Sequence, residues 1–535
     1  MIALDQARTK RLTAIHGWSG TILGVLLYVV VLTGAVAVFA EEIGVWSQGG
    51  TRSANGITEL IDRPLRDIAR ETDPRALEEI SISKRTDGAI RLSLHTHAEN
   101  PATGESDEFG ALYYLDPQTG EPLRQWEGFS SEMRRDDGGR IALERFLIDL
   151  HVQLYVPAPW GLILTGILGL AIMVASVSGL MMHRHLIRDA FLPARGNQRL
   201  VSARDRHVLA STWSLPFGFL LAFTGAFFSF AISLGLPIVA MVAFGGDQQE
   251  MVEQVIGIEA PADKTPAPLA SLDYILAEST ERVGTPPVSV AIAGYGTAGA
   301  TVTLFHPPDN GALLGTTLMF SGADRSFLGE KPALCTVPSA GSAVVSLMGP
   351  LHFGNFAGLT SKIAWLALGA AMSYVVISGM HMWVRRREDQ AVWRRFAWAI
   401  TISAWGLPLA MLGSAAAFFL TLPAGDPTFW TPMGFLIAAI AAIFVGLGPQ
   451  DPSDRFRVVF AVSCLALPLL RHLTGGTAWS DALAGGQVEV ISIDLLLLAL
   501  GAVLLWQPNP FGRREDGEHR RSDQRGDEIV LEPAE

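Results

Sequence analysis

Long apolar runs, each bounded by basic or polar residues, dominate the pattern of this chain. Windows of about 20 apolar residues, the length that crosses a ~30 Å hydrocarbon layer, predict four well-spaced helices: Thr21 to Ala40, Trp160 to Met182, Leu209 to Phe244 and Ile363 to Val384. Four more follow closely: Phe396 to Leu422, Trp430 to Leu447, Val458 to Leu470 with its flanks, and Ile491 to Trp506. The third run is longer than one crossing needs, and Gly235 and Pro237 mark the expected kink or exit from lipid. The first run is too long for a secretory signal and no small-residue cleavage pattern follows it, so it reads as a retained helix.

Two polar segments, 41–158 and 245–361, interrupt the apolar pattern, and each is expected to fold as a small α+β domain. The first predicts a helix around Ile57 to Arg70 and strands at Glu79 to Ser83, Ile90 to Thr96 and Ala111 to Leu115. The turn Asp116-Pro117-Gln118-Thr119-Gly120 then reverses the chain, with proline fixing φ and glycine supplying a positive φ. The second repeats the order, with a helix at Leu269 to Arg282 and strands at Val288 to Ala293, Ala300 to Leu304 and Thr316 to Phe320. A helix pair plus a polar domain thus occurs twice, which points to internal duplication.

Composition agrees with a membrane home, since 49% of the 535 residues are hydrophobic and only 17% charged. The net charge of −12 matters less than where the basic residues lie. The N-terminus, the stretch Arg184 to Arg206, Arg385-Arg386-Arg387 with Arg394 and Arg395, the turn with Arg455 and Arg457, and the tail beyond Arg513 fall on one side if eight helices alternate. Basic residues are retained on the cytoplasmic side, so both termini are expected there, in a bacterial inner membrane, with the two polar segments in the periplasm. The chain then divides into 1–40, 41–158, 159–244, 245–361, 362–387, 388–511 and a charged, disordered tail, 512–535. Nothing suggests nucleic acid. Cys335 and Cys464 stand far apart without C-x-x-C spacing, which argues against a thiolate-held cluster or a covalently attached haem. No G-x-G-x-x-G stands between a strand and a helix, so any nicotinamide or flavin donor is external.

The candidate chemistry lies in histidines at the ends of the apolar helices, positions costly for polar groups without a purpose. His151 and His352 belong to the periplasmic layer, and His16, His183, His207 and His381 to the cytoplasmic one. Neutral imidazole is a good axial ligand for haem iron, and a pair from two helices makes a six-coordinate electron-transfer site. Zinc is the rival metal, but it wants three or four ligands and the periplasmic layer offers two histidines. His95, His97 and His306 alternate with apolar strand residues and are expected to face solvent. Glycines accompany the same helices, including Gly17, Gly34, Gly179 and Gly225, and allow close helix packing or room for a flat macrocycle.

Several pieces in combination resemble the PepSY-associated transmembrane proteins. They are His16-Gly17-Trp18-Ser19-Gly20 with Leu32-Thr33-Gly34, Leu150-His151, Ser178-Gly179-Leu180 with His183, His207 with Leu215-Pro216-Phe217 and Thr224-Gly225, and Leu351-His352-Phe353-Gly354 with Ser378-Gly379 and Trp383. The turn from Tyr114 to Glu121 is similar to the closing strand motif of a PepSY module. The resemblance covers about Thr13 to Arg387 and says little of the last four helices. It implies a polytopic α-helical membrane protein with a four-helix core holding two haems b, two small α+β PepSY-like periplasmic domains, and a ferrisiderophore reductase activity. Carried over residue by residue, the implied ligands are His16 and His207 for the inner haem and His151 and His352 for the outer one. His183 matches one branch of the family and competes for the inner site, whereas His381 stands where the family more often ends its helix with tryptophan and arginine. The partners implied are the lipid bilayer, a ferric siderophore or other ferric chelate, and an electron donor that is a quinol or a cytoplasmic reductase. A transporter without redox chemistry and a PepSY-domain regulator are the rival classes; the regulator leaves the histidines unexplained, and few charges inside the spans disfavour the transporter.

Overall fold

The computed structural model describes residues 5–48, 56–58, 60–85, 88–102, 104, 106–132, 139, 141–182, 191, 199–247, 251, 255, 263–308, 312–332, 338–448 and 451–506. The chain enters through α1 (Gln6–Ile22), α2 (Gly24–Ala37) and α3 (Ala40–Gln48). The polar segment follows with α4 (Asp62–Glu71), β1 (Glu79–Lys84), β2 (Ile90–Glu99), β3 (Ser106–Leu115) and β4 (Pro122–Phe129). Helices α5 (Ala142–Gln153), α6 (Trp160–Met182), α7 (Arg199–Phe230) and α8 (Leu236–Ala243) come next. The second polar segment gives α9 (Leu272–Val283), β5 (Ser289–Ala293), β6 (Thr301–His306), β7 (Thr316–Ser321) and β8 (Phe327–Lys331). The rest is helical: α10 (Ala340–Phe353), α11 (Gly358–Arg385), α12 (Ala391–Thr421), α13 (Pro427–Gly446), α14 (Ser453–Leu473), α15 (Trp479–Ala484) and α16 (Val488–Trp506).

Among the described residues, seven helices are long and apolar enough to cross a membrane. The first span expected from sequence, Thr21 to Ala40, is not one straight helix: α1 and α2 meet the same test only together, bent by 68° at Leu23. Gly24 stands at the bend, where a Cβ would lie 2.3 Å from Met380 Sδ, so the close approach to α11 requires glycine. The long third run carries the expected irregularity, a π-helical turn at Ala231–Gly235 between α7 and α8. Large apolar side chains such as Ile167, Leu170 and Val174 on α6, Leu420 on α12, Phe444 on α13 and Leu496 on α16 are exposed, as lipid-facing positions are.

The two polar segments do not form two separate domains. Their strands join in a single eight-stranded antiparallel sheet of order β4-β3-β2-β1-β5-β6-β7-β8. The first strand of each segment would otherwise present an unpaired edge, and β1 pairs with β5 in register, Ile80 opposite Ile292 and Ile82 opposite Val290. One apolar core therefore serves both halves, with Leu65 and Ile68 of α4 and Leu272 and Ile275 of α9 packed over Leu92, Leu94, Val302 and Leu304. The helix starts are also interlocked. Asp273 Oδ1 accepts from the backbone N–H of Ile61 and Asp62 at 2.8 and 3.0 Å, and Asp62 Oδ1 accepts from the Leu272 N–H at 3.0 Å. The predicted turn forms at 116–120, where Asp116 Oδ1 accepts from the N–H of Gln118 and Thr119 and Gly120 takes a φ of +71°.

Two expectations about strand histidines are corrected. His306 is in phase with the core residues Val302 and Leu304, so it is buried, with Nδ1 2.7 Å from the Thr285 carbonyl. His95 and His97 point away from that core, but β2 is an interior strand, and both are largely covered rather than facing solvent.

Candidate functional site

Four of the histidines stand on four different helices: His16 on α1, His151 on α5, His207 on α7 and His352 on α10. Each is held in the same manner, through Nδ1. His16 Nδ1 lies 3.0 Å from the Ala175 carbonyl and 3.2 Å from Ser178 Oγ, and His151 Nδ1 lies 3.1 Å from the Val30 carbonyl. His207 Nδ1 lies 3.0 Å from Ser378 Oγ, and His352 Nδ1 lies 2.8 Å from Thr224 Oγ1. Carbonyls only accept, so His16 and His151 must carry their proton on Nδ1. The two hydroxyls spend their own protons on the carbonyls of Val375 and Leu220, so they too accept from imidazole. All four rings are thereby set as the tautomer whose Nε2 has a lone pair to offer. This is how a metal-binding imidazole is oriented by its outer partner.

A glycine faces each ring. A Cβ would lie 3.4 Å from His16 Cε1 at Gly179, 2.7 Å from His151 Cε1 at Gly34, 3.2 Å from His207 Cε1 at Gly379 and 3.1 Å from His352 Cε1 at Gly225. The pairs Ser178-Gly179 and Ser378-Gly379 therefore act alike, while Gly34 and Gly225 match in facing a ring but differ in its partner, a carbonyl of Val30 for His151 and the Thr224 hydroxyl for His352. The duplication reaches into the bundle: Gly34 follows His16 by 18 residues, and Gly225 follows His207 by 18.

The structure brings the rings of His151 and His352 together, with centroids 6.3 Å apart and planes inclined by 24°. Two imidazoles in trans on one metal, with bonds of about 2.0–2.1 Å and about 1.2 Å from nitrogen to centroid, have centroids roughly 6.4 Å apart. Phe228 and Phe353 pack edge-on against His352, at 5.8 and 5.6 Å between centroids, and close this pair in aromatic surroundings. His16 lies against α6 and His207 against α11. His183 lies outside the described residues. His381 sits on α11 one turn beyond Ser378, outside the pattern of a Nδ1 partner and facing glycine. Trp383 lies against Gly17, where a Cβ would meet its ring, and Arg387 stands 3.9 Å from the Trp383 ring centroid.

Sequence reasoning missed two buried ion pairs near this layer. Lys362 Nζ donates to Glu42 Oε1 at 2.6 Å, tying α11 to α3. Arg471 on α14 donates to both Asp494 oxygens on α16 at 3.3 and 2.6 Å, and the indoles of Trp46 and Trp479 donate to the same carboxylate at 2.8 and 2.9 Å. The available signal was an acid within an otherwise apolar run, Ile493-Asp494-Leu495. This knot gives the last four helices a structural part. Trp46, Phe418, Phe419 and Leu467 form one cluster with Phe146, Leu147 and Leu150, the buried face of the helix that carries His151.

Fold and site together define a polytopic helical membrane protein in which two duplicated helix pairs, joined to one antiparallel sheet, each present two oriented histidines. The chain belongs to the family described as the PepSY-associated TM region, whose model matches residues 13–386. No curated protein matches it.

Proposed function

We propose that this protein is an inner-membrane, di-haem b electron-transfer protein that reduces a ferric siderophore or another ferric chelate in the periplasm, releasing iron. The reading rests chiefly on the approach of His151 and His352 at 6.3 Å with both Nδ1 atoms engaged. The donor set suits haem iron: two imidazoles from two helices, with small residues beside the rings and no carboxylate or thiolate in the pairing. His151 and His352 would hold an outer haem, and His16 and His207 an inner one. Haem bound at these positions supplies a one-electron couple.

The chain's own residues do the remaining work. Val30, Thr224, Ala175 and Ser378 fix the ring tautomers, while Gly34, Gly179, Gly225 and Gly379 let the rings lie close to the neighbouring helices. Phe228 and Phe353 pack edge-on against His352 and help to hold its ring in place. The strands connect to the helices that carry His151 and His352, so a periplasmic chelate would arrive on that side, and the arginine-rich connections would face the cytoplasm. Iron leaves once reduced because Fe(II), with less charge, is a poorer partner for hard oxygen ligands.

The outer partners are open to test. Thr224→Val keeps the shape of the side chain but removes the acceptor for His352 Nδ1, and is expected to weaken retention of the outer haem by roughly 10–100-fold. Haem titration of the stripped protein measures it. The activity itself is tested by mixing the pre-reduced, purified protein with a ferric hydroxamate or catecholate and a ferrous trap. Reoxidation with capture of ferrous iron is expected; a reduced protein that stays reduced beside the chelate contradicts the proposal.

A further inference from the structure

The geometry points to a second metal site, away from the helix histidines: we propose that Glu79, His95 and His97 bind a divalent transition ion of the zinc or copper type. His95 and His97 are two residues apart on β2, so both leave the same face of the sheet, opposite to Leu92 and Leu94. Glu79 is the register partner of His95 on β1. One ligand atom from each of the three lies within 4.8 Å of the others. His95 Nε2 and Glu79 Oε2 are 3.4 Å apart, longer than a good hydrogen bond at about 2.7–3.2 Å. The distance matches two ligands of one tetrahedral ion, which stand about 3.3–3.4 Å apart when their bonds are about 2.0–2.1 Å.

The surroundings fit an exchangeable site. The His95 and Glu79 side chains are 18% and 30% exposed, held by the sheet but open to an ion from solution. On the other flank of His95 the register partner is Gly110, which has no side chain to cover the ring. Two imidazoles and one carboxylate suit zinc or copper and are a poor set for magnesium or calcium, which want oxygen ligands. Three protein ligands leave a fourth position for water or an incoming group. Glu79 also pairs with Ala293 of β5, so the ion would sit where the two halves of the sheet meet.

The test uses the full-length, untagged protein in detergent, stripped with a chelator and dialysed against zinc alone. Zinc and haem are counted on the same samples by mass spectrometry and by pyridine haemochrome. One zinc per chain is expected in the unaltered protein. His97→Gln and Glu79→Gln each remove a ligand without touching the apolar face of the sheet. Each is expected to lower zinc affinity by more than the roughly 10–100-fold typical of losing an outer partner, with haem content unchanged. No zinc in the unaltered protein overturns the proposal whatever the variants do, and so does equal zinc in the unaltered protein and both variants. Because haem is counted separately, loss of zinc with haem intact cannot be confused with failure of the electron-transfer reading.

Discussion

His352→Ala is expected to leave the purified protein with one haem instead of two and to abolish reduction of an external ferric chelate. His352 has Thr224 behind it, Gly225 beside it and His151 across from it, so its loss would remove one of the two imidazoles proposed to hold the outer haem. The inner layer should survive. His207 and Gly225 are both on α7 and 18 residues apart, which at 1.5 Å per residue sets the layers about 27 Å apart along that helix. Difference spectra should therefore show a reducible inner haem in a protein that no longer passes electrons outward. His151→Ala should behave alike, and His381→Ala should keep both haems. Two six-coordinate haems and full activity in His352→Ala would remove the outer assignment.

The next largest effect is expected at the knot in the last helices. Asp494→Leu leaves the Arg471 guanidinium, 1% exposed, without its carboxylate and strips the acceptor from two indoles. Breaking one partner of such a buried pair costs about 3–5 kcal/mol, whereas replacing both partners by apolar residues of similar size is often neutral. Thermal unfolding in detergent should therefore show Asp494→Leu strongly destabilised and Arg471→Met/Asp494→Leu recovered in part, since the indoles of Trp46 and Trp479 still lack their acceptor. Because Trp46 and Leu467 lie in the cluster that supports α5, the single variant should also hold its outer haem less tightly than its inner one. A single variant as stable as the unaltered chain would mean that the knot does not brace the bundle.

Much of this was legible along the chain because it is local. The span Trp160 to Met182 was read to the residue and the six apolar runs after it to within two helical turns, since length and hydropathy are properties of one segment, whereas the bend at Leu23 within the first run was not foreseen. The candidate histidines His16, His151, His207 and His352 were legible as residues at the ends of apolar helices, and the glycines beside them stood out as small residues in the same helices; only the approach of His151 to His352 is seen in the fold. What stayed hidden was long-range. Nothing near Ile80 announces that it lies opposite Ile292, so one sheet read as two domains. The strands β4 and β8 are exposed edges with little alternation, and they passed unread. His306 was misplaced for a nearer reason, since Val302-Thr303-Leu304-Phe305-His306 puts it in phase with the core by alternation alone. The Glu79–His95–His97 cluster needs the β1–β2 register before its three side chains can be seen together.

The most direct measurement is the dithionite-reduced minus oxidised absorption spectrum of the purified full-length protein, with haem counted as the pyridine haemochrome. The account predicts a red protein with the paired bands of low-spin haem b and two haems per chain. A protein that is fully folded, colourless and unable to take up added haem would contradict it.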